Sequence, residues 1–220
     1  MNQKSISRGR FDGSVRFRPG VLGAAVVRGD WGIIARRPHI IDPKNGRQMD
    51  HILAEPDWRQ IVERFALRID REELFRDRFQ NLVVNTGLDY LLDSGLSAGT
   101  QITSWFLLLM DGTPTVAAGD TMASHAGWAE VTAYDEAARQ AWSDGGVSGQ
   151  SVDNSGSPAQ FTISTNGTTI GGAGLTSSST KGGSTGTLYA GGAFSAGDKS
   201  LDDNDTLDVT ATFTQADDGA

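Results

Sequence analysis

The chain has no cysteine, and that single absence removes disulfides, thiolate catalysis and every Cys-based zinc site. It fits synthesis in a reducing cytoplasm. There is no long hydrophobic run. The densest is "WFLLLM", Trp105 to Met110, far short of the roughly 20 apolar residues that span a bilayer. The opening "MNQKSISRGRFDGSVRFRPG" lacks the apolar core of a signal peptide, so the expectation is a soluble protein without a recognisable Sec signal and without a membrane partner. Positive charge is scarce after residue 80. Residues 81–220 hold 3 Lys and Arg against 16 Asp and Glu, a net of −13. Residues 1–80 hold 16 against 11, a net of +5, and the whole chain stands at −8. Such a division implies two surfaces with different tasks. The acidic part should repel nucleic acid, and the basic part suits an acidic protein surface better than DNA, since Asp30, Asp42, Glu63 and Asp70 interrupt its cations. Direct DNA binding is therefore not expected.

What is abundant is glycine, 28 residues of 220. In residues 1–50, glycines and prolines interrupt short β-prone pieces such as "SVRFR", "GAAVVR" and "WGIIARR". Pieces so short bury little alone. The expectation is an extended basic N-terminal arm over residues 1–56 that pairs with the body of its own chain or with a neighbour. Arg8, Arg10, Phe11, Arg16, Phe17, Arg18, Arg28, Trp31, Arg36 and Arg37 are its candidate docking residues. Arg interleaved with aromatic rings can stack nucleic-acid bases, but it also anchors arms in protein grooves. The second use is favoured here because acids lie close by and no RNA-binding motif is present.

Residues 57–100 read as a helix-strand-helix connector. Trp58, Ile61, Val62 and Phe65 follow helical spacing behind Asp57 as N-cap. "ELFRDRFQNLVV" reads as a strand with Phe75 and Phe79 on one face. "NTGLDYLLDSGL" reads as a second helix, with Leu88, Leu91 and Leu92 on one side, Asn85 or Thr86 capping the start and Gly95 at the C′ position.

Residues 101–220 read as a β domain. "ITSWFLLLM", "AEVTAY" and "AARQAW" are strand candidates, and Asn166-Gly167 predicts a type I′ hairpin inside "AQFTISTNGTTIGGAGLTS". In "DTLDVTATFT", Leu207, Val209, Ala211 and Phe213 alternate with polar residues, as in a sheet with one wet face. The Gly/Ser/Thr-rich stretch 171–192 reads as strand and turn, anchored by Leu175, Leu188, Tyr189 and Phe194. The fold class expected is mainly β: an antiparallel β-sandwich, jelly-roll or Ig-like, with an extended arm and one or two short helices.

Candidate chemistry is thin. His125 with Glu130 and Asp135 could be drawn as a base and its orienting acid, but no Gly-x-Ser-x-Gly nucleophile accompanies them. The simpler reading has His125 bonding a loop, Trp128 packing on the sandwich, and Glu130 and Asp135 facing water. His39 and His51 lack metalloprotease spacing. "DDND", Asp202 to Asp205, invites calcium but lacks EF-hand spacing and reads as an Asx-rich turn. Lys181 follows Thr180 rather than preceding a Ser or Thr, so no phosphate loop is present. No catalytic residue, metal or cofactor is expected.

The pieces "NLVVNTGLDYLLD", "ITSWFLLL", "AGDTMASHAGWAEVTAY", "SVDNSGSPAQFTI", "GGAGLTSSSTKGGSTGTLYAGGAFS" and "DTLDVTATF" run colinearly from about residue 79 to 215. Together they resemble a family of tailed-phage and prophage virion structural proteins. The resemblance implies particle assembly and no enzyme. The expected partners are other virion proteins, either the major capsid protein or portal, neck and tail proteins, with self-association as a homo-oligomer. The expected place is the virion, assembled in the host cytoplasm. Decoration or cementing of the capsid is the leading expectation, and a neck, collar or tail component anchoring a fibre or spike is the alternative. A carbohydrate-binding sandwich for host contact is the rival, to be favoured by exposure of Trp105, Trp128 or Trp142.

Overall fold

The computed structural model describes residues 26–216, and of residues 26–28 the backbone alone. In chain order the elements begin with β1 (Val26–Ile41), a 3-10 turn (Asp50–Ala54), α1 (Trp58–Arg64), β2 (Arg68–Gln80), β3 (Leu82–Val83) and α2 (Asn85–Leu96). There follow β4 (Phe106–Met110), β5 (Glu130–Val131), β6 (Gln140–Ala141), β7 (Ser151–Asp153) and β8 (Ala159–Thr162). The last are β9 (Thr168–Ile170), β10 (Gly172–Thr176), β11 (Leu188–Ala193), β12 (Lys199–Leu201) and β13 (Thr206–Ala216).

All pairing is antiparallel. One sheet runs β2-β1-β13, and the far edge of β13 is shared by β7 and β8. Where those two short strands leave a gap, the buried Asn154 fills it with its side chain. Its Oδ1 accepts from the Ala211 amide at 2.7 Å and its Nδ2 donates to the Val209 carbonyl at 3.2 Å. The second sheet runs β3-β11-β10-β4, with β5 and β6 both on the outer edge of β4. A small third sheet pairs β9 with β12. The protein is a mainly β, antiparallel sandwich, as its alternation predicts.

The core lies between the two large sheets. Trp31, Ile33 and Ala35 of β1, and Leu207, Val209, Ala211 and Phe213 of β13, face Leu107 and Leu109 of β4 and Leu175 of β10. Trp31 meets Phe79 and Phe213 edge-on at 5.7 and 6.0 Å. The dense run in β4 has its own cause. Leu107 and Leu109 face the interior, while Leu108 and Met110 face outward under Met122 and Trp128 of the 111–129 loop. A strand buried on both sides needs apolar residues at every position. Gly174 and Gly191 lie in register beneath the Met110 side chain, where a Cβ would come within 2.8 Å of its methyl group. The glycine-rich stretch is thus a packed sheet, as expected.

Four expectations change. The arm of residues 1–56 pairs with the body of its own chain, one of the two partners expected, but in its described part it is not a separate unit: β1 lies in the middle of its sheet, paired with β2 on one side and β13 on the other. The physical reason is the alternation of Trp31, Ile33 and Ala35, which continues one inward face across glycines that look like punctuation in the sequence. The connector of residues 57–100 is divided in the same way, since β2 joins the first sheet and β3 the second. The Asn166-Gly167 hairpin does not form. β8 pairs with β13 and β9 with β12, and only Gly167 of the two has positive φ, at 71°. The helix ends also differ. Gly95 lies inside α2, and Ala98 takes the left-handed conformation, at φ 57°. Thr86 does not cap the helix, and its hydroxyl donates to the Leu188 carbonyl at 2.6 Å.

Beyond β13 the β1–β2 pair continues alone, from Arg37–Glu72 to Ile41–Arg68. The 3-10 turn and α1 cover this extension and enclose a small separate core of Ile40, Ile52 and Val62. Phe65, expected on the buried face of α1, is 61% exposed.

Candidate functional site

The histidine-, acid- and tryptophan-rich stretch 120–142 is built as a clamp. The Asp120 carboxylate accepts from the Trp128 indole N–H and the Ala117 amide, both at 3.0 Å. His125 stacks on Trp128 at 3.7 Å, and its Nδ1 lies 2.9 Å from the Trp128 carbonyl, which makes that nitrogen the donor. One face and one nitrogen of the imidazole are thereby committed. His125 bonds its loop, Trp128 packs and Asp135 is exposed, as the simpler reading has it.

Glu130 departs from that reading. Its carboxylate meets the guanidinium of Arg139 twice, at 2.9 and 2.6 Å, and Arg139 is 2% exposed. Arg139 also donates to the carbonyls of Ser178 and Gly183, while Glu130 accepts from the Gly182 amide. Lys181 adds bonds to the carbonyls of Tyr134 and Glu136 at 2.9 and 2.7 Å, with its ammonium 4.3 Å from the Tyr134 ring centre. Burial, with Glu130 nearby, pushes the Tyr134 phenol well above its ordinary range. The stretch therefore pins the 177–187 loop to the sheet edge. Buried charge of this kind is affordable only when paired and fully bonded.

The docking residues separate into three groups. Arg8, Arg10, Phe11, Arg16, Phe17 and Arg18 lie outside the described residues, as does the side chain of Arg28. Trp31 is 1% exposed in the main core, so it cannot meet a partner; this is a correction. Arg36 and Arg37, each partly exposed, are paired with acids of their own chain. Arg36 bonds Asp208, and Arg37 holds Asp205 at 2.9 and 2.8 Å and Asp202 at 2.8 Å. The DDND turn is thereby explained by an arginine, and Gly167 and Asn166 close it from the other side. Among the described residues no three His, Cys, Asp or Glu side chains group as metal ligands.

On the β1–β2 extension His39 bridges Asp50 at 2.7 Å and Glu72 at 3.1 Å. The Asp50 bond, then that of Glu72, raises the His39 pKa above its usual value.

Trp105 and Trp142 are half-buried in a pocket of about 130 Å³ with Tyr90, Leu91, Val152 and Leu175. The Trp142 N–H is spent on the Ala211 carbonyl, and the Tyr90 hydroxyl on the backbone of Ile102. Burial pushes the Tyr189 phenol at this pocket up to about 12. A sugar needs convergent polar groups beside its stacking ring; the Trp142 N–H and the Tyr90 hydroxyl are already engaged within the chain.

The sequence reading missed the outward face of α2. Leu91 packs inward, but Leu88 and Leu92 are 42% and 59% exposed and Leu96 is 83% exposed. The signal is present: leucines at 88, 92 and 96 form one row, and Gly87, Tyr90 and Leu91 form another. No helix of the described residues is long and apolar enough to cross a membrane. No family model matches the chain, and no curated protein matches its sequence.

Proposed function

We propose that this chain is a non-enzymatic structural protein of a phage particle, assembled in the host cytoplasm, whose β-sandwich decorates or cements the shell through the basic residues ahead of β1. The phage assignment rests on the resemblance of the six colinear pieces. The observation that supports assembly over catalysis is where the polar chemistry goes. His125, Asp120, Glu130, Arg139, Arg37 and Asp205 bond within the chain, while among the described residues Leu88, Leu92 and Leu96 form an exposed apolar row on α2. Catalysis needs a nucleophile, a base and a stabilising donor converging on one open site. A contact surface needs exposed apolar side chains on a rigid support. The residues ahead of β1 carry five of the 16 cations of the basic half, against the single acid Asp12, and supply the docking segment in this reading.

The test is quantitative mass spectrometry of purified particles. A copy number in proportion to the major shell protein supports decoration or cementing. A number matching a single ring moves the protein to the neck or tail, where it would anchor a fibre or spike. Absence from particles, with the protein present only in the lysate, overturns the proposal.

A further inference from the structure

We infer that the outward face of α2 is the docking site for residues 1–25 of this chain. α2 is held from one side. Gly87 rests on the backbone of Tyr189, the Tyr90 ring meets Trp105 edge-on at 5.2 Å, and Leu91 packs on the main core. The other side carries Leu88, Leu92 and Leu96, spaced four apart and so aligned in one row. Asp89 and Asp93 are exposed beside that row, and the helix has no Lys or Arg. The occupant must therefore bring apolar side chains and positive charge together. A second copy of α2 would bring two more carboxylates and repel the first pair.

Residues 1–25 have the required chemistry. They hold Lys4, Arg8, Arg10, Arg16 and Arg18 against the single acid Asp12, with Ile6, Phe11, Val15 and Phe17 among them. Their point of attachment is also suitable. The Gly29 carbonyl near the start of β1 accepts from the Asn81 amide at 3.3 Å, and Asn81 lies only four residues ahead of Asn85, where α2 begins. A segment of this length extends to about 80 Å at full stretch, whereas the helix is about 18 Å long. The tether is long enough to span the leucine row. The contact belongs to the free chain, before residues 1–25 engage a shell, and its test needs only purified full-length chain.

A benzophenone amino acid in place of the exposed Leu92 captures whatever lies on the row when irradiated. Protease digestion and mass spectrometry then identify the partner. The expected adducts are to residues 1–25, and their yield falls roughly tenfold when Arg16→Glu and Arg18→Glu are combined, equivalent to about 1.4 kcal/mol shared between two exposed ion pairs. Mixing isotopically heavy and light chains shows whether the contact is made within a chain or between copies, and either supports the assignment. The same label in place of Val147, which is 79% exposed elsewhere on the surface, is the control. Equal capture of residues 1–25 from Val147, capture of any other segment from Leu92, or a yield indifferent to the two charge reversals overturns it.

Discussion

Arg139 shows how much of this fold rests on single polar side chains. It is buried, doubly bonded to Glu130 and bonded to two carbonyls of the 177–187 loop. Arg139→Ala leaves Glu130 without its counter-ion and should cost about 3–5 kcal/mol in denaturant unfolding. Replacing Glu130 by Gln as well should recover part of that loss, because the uncompensated charge is gone. His39 makes a pH-dependent contribution. Its folded pKa is raised, chiefly by the bond to Asp50. The stabilisation is therefore complete below the unfolded value near 6.5 and fades as pH rises through the raised folded value. At Asp50, burial pushes the pKa up, but bonds from Gln48, His39 and the Ile40 amide outweigh it and leave a net lowering. That contribution is present above the unfolded carboxylate value and is lost as pH falls through the folded one. Thermal melts across pH should show the His39 component disappear on the alkaline side, and His39→Gln should flatten that limb.

At the scale of elements, α2 is positioned by a glycine. A Cβ at Gly87 would collide with the Tyr189 carbonyl, whereas one at Gly95 would meet open space. Gly87→Ala should therefore destabilise by about 1–3 kcal/mol through overpacking, despite the better helix propensity of alanine. Gly95→Ala should stabilise by about 0.5–1 kcal/mol from propensity alone. Unfolding curves of the two variants, with opposite signs expected, check the packing of the helix. β2 poses a different problem. It is a 13-residue edge strand, and such edges invite pairing with other chains. Its sequence "RIDREELFRDRFQ" places charges along that edge, with Arg76 paired to Glu73 and Arg68 to Asp70. This mixture of charge has a protective use in the sheet.

For the whole molecule, the question is where the body starts. β1 supplies Trp31, Ile33 and Ala35 to the main core, Ile40 to the small one, and the backbone partner for both β2 and β13. Removing residues 1–50 should abolish the cooperative melting transition. Removing only residues 1–25 should keep it, since β1 and the pairs it makes remain. Circular dichroism melts with size-exclusion profiles separate the two outcomes. A cooperative melt in the shorter chain would mean that β13 and β2 can close the sheet without β1, contrary to the register seen here.

The sequence alone determined the class and the larger part of the strand inventory. Alternation in β13, the apolar density of β4 and the aromatic pair Phe75 and Phe79 of β2 are local properties, set by which side chains tolerate burial on one or both faces of a sheet. The helices were legible for the same reason, through spacing at 3.6 residues per turn. Pairing was decided only by the tertiary structure. Asn166-Gly167 has good hairpin chemistry, but β8 gains a buried place beside β13, and a local turn preference is small against that. Trp31 looked like a docking residue because its core partners, such as Phe79 and Phe213, are distant in sequence, and Arg36 and Arg37 because their acids, Asp202, Asp205 and Asp208, lie more than 160 positions away along the chain. The clamp at Arg139 was equally hidden, whereas the leucine row of α2 was legible as spacing and only its exposure was not. A sequence shows which residues are charged or apolar, and only the fold shows which of them have found partners.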